Sequence, residues 1–150
     1  MIEVRPARIE DLDDVRRAES LGFPNPWHRS TYLEQLGYPR AVFLVATRNG
    51  IFAGHALSWI VIDEMHLLKI AVMPESRRAG VGRRLLAASE SRCVAMGARS
   101  CFLEVRRSND AARAFYEKMG YANVGVRPGY YEDIGEDAIV LRKSLGDLVA

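Results

Sequence analysis

Apolar and polar positions alternate from Ile2 to Arg5, the period of a half-buried strand, and Pro6, which cannot donate to a ladder, interrupts pairing there. From Ile9 the period lengthens. Ile9, Leu12, Val15, Arg16 and Glu19 recur at helical spacing, with acids early and Arg16 and Arg17 later, an order that complements the helix dipole. The two prolines of Gly22-Phe23-Pro24-Asn25-Pro26-Trp27 predict an aromatic loop, after which Ser30 offers a cap for a short helix through Leu36. Ala41 to Thr47 has strand composition, and Arg48-Asn49-Gly50 suits a tight hairpin turn into a second strand, Ile51 to Ile62. His66 to Val72 is nearly all apolar, which predicts a central strand that Pro74 stops. A helix begins near Gly80: Val81, Leu85, Ser89, Arg92 or Cys93, and Met96 follow its period, and Gly97 suits its left-handed end. Ser100 to Val105 predicts a strand, Asn109 to Met119 a helix ended by Gly120, and Tyr121 to Val126 and Ala138 to Leu145 two final strands. No repeat, linker or low-complexity segment interrupts the series. About seven strands and four helices in this order predict one α/β (α+β) domain over residues 1–150, a mixed sheet with helices on both faces.

Composition narrows the class without naming an activity. A chain of 150 residues, 49% hydrophobic and 27% charged, can bury one soluble core. A net charge of +2 is too mild for a dedicated nucleic-acid binder, which needs many clustered cations. No apolar run approaches the ~18 residues that span a bilayer, so membrane insertion is not expected. Cys93 and Cys101 fall on a predicted helix and strand, and the start of the chain lacks the basic and apolar regions of a signal peptide. The expectation is a cytoplasmic protein with reduced thiols, acting as a monomer or weak homodimer. His28, His55 and His66 show no metal-ligand spacing, and no metal is expected.

One segment carries candidate chemistry. Arg77-Arg78-Ala79-Gly80-Val81-Gly82-Arg83-Arg84 lies between a strand and a helix, where successive backbone N–H groups and the helix dipole converge on an anion. Gly80 and Gly82 remove Cβ atoms that would hold a diphosphate away, and the arginines add charge. The bare pattern fits a glycine-rich helix start with a solvated basic face equally well. It is neither a nucleotide P-loop, since no Gly-Lys-Ser/Thr follows, nor a dinucleotide fingerprint, since the third glycine is missing.

Arg77, Gly80 and Gly82, directly after a central strand, satisfy the Gln/Arg-x-x-Gly-x-Gly/Ala signature, and here the sequence resembles the GNAT acetyltransferases. The resemblance continues through Ile70-Ala71-Val72, Leu103-Glu104-Val105-Arg106, Ser108-Asn109-x-Ala111-Ala112, Phe115-Tyr116-Glu117-Lys118-x-Gly120-Tyr121 and Glu136-Asp137-Ala138, nearly the whole chain. Phe23-Pro24-x-Pro26-Trp27 and Arg127-x-x-Tyr130-Tyr131 are most similar to bacterial members that acetylate the N-terminal alanine of a small-subunit ribosomal protein. The resemblance implies the GNAT fold, acetyl-CoA as cosubstrate and an amine acceptor. It further implies that Arg77, Arg78, Ala79, Gly80, Val81, Gly82 and Arg83 bind the pyrophosphate, that Ile70, Ala71 and Val72 offer backbone groups to the pantetheine arm, and that Asn109 touches the cofactor. Many relatives carry an acidic or amide residue where this chain has Met73, a change that leaves backbone contacts intact.

Acetyl transfer from a thioester needs a neutral amine, a polarised carbonyl and a proton for the departing thiolate. Glu104 sits inside an apolar strand run, where it can accept a proton or pair with Arg106 two residues on. Tyr116 lies seven residues after Asn109 on one helical face, where its phenol can protonate a sulfur or simply pack beside Phe115. Spacing alone favours the plainer role for both, and Asn109 also suits a helix N-cap. The resemblance implies Glu104 as general base and Tyr116 as general acid. It also implies a role for Glu19 at the acceptor, while Trp27, Tyr130 and Tyr131 either line a peptide groove or cap the core. An α-amine of pKa near 8 is about one-tenth neutral at pH 7, whereas a lysine near 10.4 is so in about one molecule in a few thousand, which favours a protein N-terminus as acceptor. A small-molecule amine, or a non-catalytic acyl-CoA-binding module, are the competing expectations.

Overall fold

A computed structural model describes residues 1–23 and 25–146, so Pro24 of the aromatic loop lies outside the described residues. Seven strands, β1 (Ile2–Pro6), β2 (Ala41–Arg48), β3 (Ile51–Val61), β4 (Glu64–Val72), β5 (Ser100–Arg106), β6 (Ala122–Tyr131) and β7 (Glu136–Ser144), form one sheet in the order β1-β2-β3-β4-β5-β7-β6. Only β4 and β5 pair in parallel; every other neighbour is antiparallel. The helices are α1 (Leu12–Gly22), α2 (Arg29–Leu36), α3 (Val81–Ala95) and α4 (Asp110–Lys118).

Strand alternation explains why helices cover both faces. On β2, Val42, Leu44 and Ala46 pack toward α3 with Val81, Leu85 and Leu86, while Phe43 and Val45 pack toward Leu12, Val15 and Tyr32 of α1 and α2. Such a strand is buried on both sides, so its continuous apolar run is the one a doubly covered sheet requires. The β2–β3 hairpin turns through Asn49 (φ 54°) and Gly50 (φ 81°), the left-handed pair the sequence predicts. Gly54 is required for a different reason: a Cβ there would stand 2.5 Å from the Ala71 carbonyl oxygen, so only glycine lets β3 carry the end of β4 beneath α3.

Four expectations need adjustment. Pro6 does not interrupt pairing: it stands opposite Leu44 in the β1–β2 ladder and the Ala7 N–H still bonds the Phe43 carbonyl at 2.9 Å, because β1 is an edge strand whose outer side needs no donor. Ser30 does not cap α2; Thr31 and Tyr32 N–H groups bond to the His28 carbonyl, the helix starts at Arg29, and Ser30 falls within its first turn. The first helix opens with a short 3-10 turn, Ile9–Asp11, held by Arg5, which bonds both oxygens of Asp11 at 2.7 and 2.8 Å. β6 runs five residues past Val126, through Pro128 and Gly129, because an edge strand can carry proline and register shifts that a central strand cannot.

Two irregularities in the middle of the sheet build the site. β4 and β5 pair only from Glu64↔Ser100 to His66↔Phe102, and beyond that point the strands separate into a fork. The β3–β4 register shifts between Leu57↔Lys69 and Ser58↔Leu67, leaving Leu68 as an extra residue in β4. This bulge breaks the alternation, so that Leu68 and Lys69 both point toward α1 while Leu67 and Ile70 pack on the α3 side.

Candidate active site

The fork opens into a cavity of about 680 Å³ whose walls are the diverging ends of β4 and β5, with α3 and α4 on one side and the α1–α2 loop on the other. A volume of this size suits a cofactor-sized ligand. Ile70, Ala71 and Val72 line it from β4, Glu104 from β5, and Asn109 and Tyr116 from α4. Beyond the last paired residue, alternate backbone groups of β4 face the fork in place of β5, and the Val72 carbonyl takes the Arg77 guanidinium at 3.4 Å. Across the mouth, Asn25 donates to Asp133 at 2.6 Å and Arg106 to the Gly22 carbonyl at 3.4 Å, tying the α1–α2 loop to β5 and to the β6–β7 turn.

At the start of α3 the backbone forms an anion cradle. Arg78 (φ 65°) and Gly80 (φ 87°) both adopt left-handed conformations, turning successive amides to one side. The first helical bond runs from Arg84 N–H to the Gly80 carbonyl, so the amides of Val81, Gly82 and Arg83 have no partner within the helix, and no side chain caps it. Arg77, Arg78 and Gly82 line the cavity, whereas Ala79 and Val81 turn their side chains into the core and present backbone only. Gly82 packs against Phe115, whose ring would lie 3.5 Å from an added Cβ. Arg83 is exposed on α3 outside the cavity lining, and Arg84 reaches back to the Ile2 carbonyl at 3.2 Å. This cradle of free amides and flanking arginines fits a pyrophosphate. Asn109 caps α4, its Oδ1 accepting the Ala112 N–H at 3.2 Å, which leaves the amide nitrogen for the cavity.

The Glu104 side chain is only 6% exposed, and its two oxygens have different surroundings. Oε1 accepts from His66 Nε2 at 2.7 Å and from the Tyr130 hydroxyl at 3.2 Å; Oε2 is enclosed without a hydrogen-bond partner, with Arg127 Nε at 4.0 Å. Arg106, the alternative partner on spacing, instead bonds Gly22. Burial pushes the Glu104 carboxyl up, but the hydrogen bond and charge of His66, the Arg127 charge and the Tyr130 hydroxyl together outweigh it and hold the group below its ordinary value. Tyr116 is 7% exposed, and burial first, then the neighbouring Cys101 and Tyr131, raise its phenol well above the ordinary value, so it stays protonated at neutral pH. Tyr131, pushed up to about 12 chiefly by burial, lines the cavity, and Tyr130 stands against it edge to face with the ring centroids 5.0 Å apart.

Glu19 does not reach the cavity surface. It is 0% exposed and accepts from the Tyr32 hydroxyl, from the Trp27 N–H at 3.3 Å and from Lys69 Nζ at 2.9 Å. Lys69 in turn lies under the Phe23 and Trp27 rings, 4.4 and 4.9 Å from their centroids, and lines the cavity. Trp27 packs on Tyr32 with the core and is absent from the lining, so of its two expected places it takes the one over the core. Sequence reasoning passed over His66 and Lys69 as site residues; only the fork and the bulge bring them there. Among the described residues no group of three or more His, Cys, Asp or Glu side chains could hold a metal ion, and no helix is long and apolar enough to cross a membrane.

A forked mixed sheet with an amide cradle at a helix start and an enclosed carboxylate beside the fork defines an acyl-CoA-dependent transferase. The chain belongs to the Acetyltransferase (GNAT) family, which matches residues 12–121, and it is an acetyl-CoA-dependent N-acetyltransferase. It is 40% identical over 139 residues to a putative [ribosomal protein bS18]-alanine N-acetyltransferase of Bacillus subtilis (strain 168), with 92% of each chain covered. It is 36% identical over 133 residues to the [ribosomal protein bS18]-alanine N-acetyltransferase of Escherichia coli (strain K12), covering 87% of this chain and 89% of that one. The crystal structure of the ribosomal-protein-S18-alanine N-acetyltransferase from Escherichia coli superposes with a TM-score of 0.86 at 33% identity, over 97% of this chain and 94% of that chain. The GNAT fold expected from the motifs is the fold found.

Proposed function

We propose that the chain transfers the acetyl group of acetyl-CoA to the N-terminal α-amine of a protein, the acceptor being the N-terminal alanine of ribosomal protein bS18, as its relatives' names specify. The observation that carries this reading is Glu104: a buried carboxylate, ionised at neutral pH, with one oxygen held and the other unpartnered at the edge of the fork. In this reading the amides opening α3, with Arg77 and Arg78, hold the pyrophosphate, and Ile70, Ala71 and Val72 align the pantetheine arm along the free side of β4. A backbone N–H of the same segment polarises the thioester carbonyl. As the amine nitrogen bonds to the acetyl carbon and the carbon–sulfur bond breaks, Glu104 takes the proton the nitrogen sheds, directly or through water, and Tyr116 gives its proton to the thiolate.

A carboxylate held below its ordinary value is a weak base, so it suits an acceptor that is already partly neutral. An α-amine near pKa 8 meets that condition at pH 7 about two-hundredfold better than a lysine near 10.4. Tyr130, Tyr131 and the loop wall of Phe23 and Trp27, backed by Lys69 and Glu19, form the acceptor side. One chain carries every group invoked, so a monomer suffices, and a ribosomal acceptor implies a cytoplasmic setting. The test is an acceptor panel: the bS18 N-terminal peptide, the same peptide with a blocked N-terminus and a free lysine, and a polyamine, scored by thiol release and by mass spectrometry of the product. Turnover confined to the free N-terminus is expected. Faster turnover of the polyamine, or modification of lysine alone, would overturn the assignment.

A further inference from the structure

His66 occupies the crotch of the fork. It is the last β4 residue paired with β5, opposite Phe102, and Glu104 lies two residues farther along β5 on the same face. Its imidazole stacks on the Phe102 ring, with centroids 4.3 Å apart and planes inclined by 14°, so strand pairing and stacking together fix the direction of Nε2. From there Nε2–H donates to Glu104 Oε1 at 2.7 Å. This histidine side chain is 21% exposed, against 6% for the carboxylate it holds.

What His66 prevents can also be read from the geometry. Glu104 faces three other titratable or charged groups: Arg127 and Tyr130 on β6, and Tyr131 at the end of that strand. Arg127 Nε stands 4.0 Å from Oε2, just beyond hydrogen-bond reach. A small rotation of a carboxylate freed at Oε1 would close that gap and form a charge-assisted pair, occupying the oxygen that is now free. Tyr130 offers only a longer bond of 3.2 Å from an exposed side chain, a weak restraint by comparison.

We propose that His66 is a positioning residue for the transfer reaction: it anchors Oε1 of Glu104 so that Oε2 stays clear of Arg127 and remains free to take the amine proton. The proposal rests on the reading of Glu104 as the general base. Its effect is exerted through Glu104, and no contact of His66 with substrate is invoked. The hydrogen bond also favours the charged carboxylate, so its loss moves the carboxyl upward.

Two variants separate this role from a structural one. His66→Phe keeps a flat ring on Phe102 and deletes the donor; His66→Gln keeps an N–H donor and deletes the stack. Steady-state rates with acetyl-CoA and the bS18 N-terminal peptide, melting temperatures, and the pH profile of kcat/KM are measured for both, with Glu104→Gln as a reference. If His66 positions the base, His66→Phe loses about tenfold or more in kcat with an unchanged KM for acetyl-CoA, and the acid limb of its profile moves to higher pH. His66→Gln, though less stable, retains most of the rate. The proposal is overturned if His66→Phe keeps the wild-type rate and pH profile, or if His66→Gln is the slower of the two. Should Glu104→Gln keep full activity, the base assignment itself fails, whereas a slow Glu104→Gln beside an unaffected His66→Phe removes only the role of His66.

Discussion

Replacing Lys69 by Met tests whether the acceptor wall rests on a buried ion pair. Glu19 is fully enclosed, and its charge is met by one ammonium at 2.9 Å, one backbone N–H at 3.3 Å and the Tyr32 hydroxyl. Methionine keeps most of the length of the Lys69 stem and removes the Nζ that lies over the Phe23 and Trp27 rings, so the change deletes the charge and its cation–π contacts with little loss of volume. Removing one partner of a buried pair costs ~3–5 kcal/mol because the other charge is left uncompensated. Lys69 is 12% exposed, and water can partly replace it, so the lower end, ~3 kcal/mol, applies. For a chain of this length that corresponds to a fall of ~6–12 °C in Tm. Adding Glu19→Gln removes the stranded charge while leaving an amide oxygen for Tyr32 and Trp27, so the double variant should recover ~2 kcal/mol of the loss. Urea titrations of the wild type, both single variants and the double variant, followed by tryptophan fluorescence, measure the cycle. A Lys69→Met protein within ~0.5 kcal/mol of wild type, or a double variant no more stable than Lys69→Met, would refute the account. In the acetyl-transfer assay Lys69→Met should raise the KM for the peptide more than that for acetyl-CoA, since the loop it supports faces the acceptor.

Glu104→Gln should lower kcat about a hundredfold and Tyr116→Phe about tenfold, each with native acetyl-CoA affinity by calorimetry, because general-base and general-acid groups contribute to the chemical step and not to cofactor binding. Gly80→Val places a β-branched side chain at φ 87° and should weaken acetyl-CoA binding while costing ~1–2 kcal/mol of stability, read by thermal shift with and without the cofactor. Ile62, 86% exposed at φ 58° in the β3–β4 turn, has the opposite relation to its backbone: Ile62→Gly should raise stability by ~1 kcal/mol in a urea melt without changing activity. The Arg5 hydrogen bond holds Asp11 below its ordinary value against burial, so the folded state is favoured at pH values above the unfolded pKa near 4, and that contribution is lost as pH falls through the lower folded value. Asp11→Asn should therefore be less stable at pH 7, and its stability should fall less steeply than that of wild type on acidification below pH ~4.

Local patterning made most of the framework legible. The alternation of β1, the continuous apolar run of β2, the Asn49-Gly50 turn and the strand–glycine–helix passage at Gly80 are determined by neighbours in sequence, and they appear where the pattern puts them. β6 runs longer than its sequence predicts because Pro128 and Gly129 signal a turn in isolation; their tolerance there depends on β6 being the sheet edge, which only topology decides. Glu19 gave a partial signal. It recurs with Leu12 and Val15 on the core-facing stripe of α1, an odd place for a solvated acid, but its partner Lys69 comes from β4 through a bulge no sequence pattern announces. His66 gave less: an apolar strand with a histidine at its start is common, and its meaning arises from where β4 and β5 cease to pair.

That separation of strands ties the two halves of the site together. A β4–β5 ladder continued to Val72 would satisfy the backbone and leave no room for a ligand, whereas the fork leaves alternate β4 groups facing a cavity, a costly arrangement unless a ligand or water meets them. The same divergence leaves Glu104 without a β4 residue paired opposite it, so that it reaches back to His66 through Oε1 while its second oxygen stays enclosed and unpartnered. Gly54 and the Leu68 bulge then act on the two faces of one strand: the first lets β4 lie close enough to α3 for the amide cradle to continue its line, and the second aims Lys69 at the acceptor loop. The cavity side proposed for the cofactor and the side proposed for the acceptor therefore meet on the two faces of one strand, so a change in the backbone course of β4 between Leu68 and Val72 should alter both affinities at once, while changes in α3 or in the Phe23–Trp27 loop should alter only one.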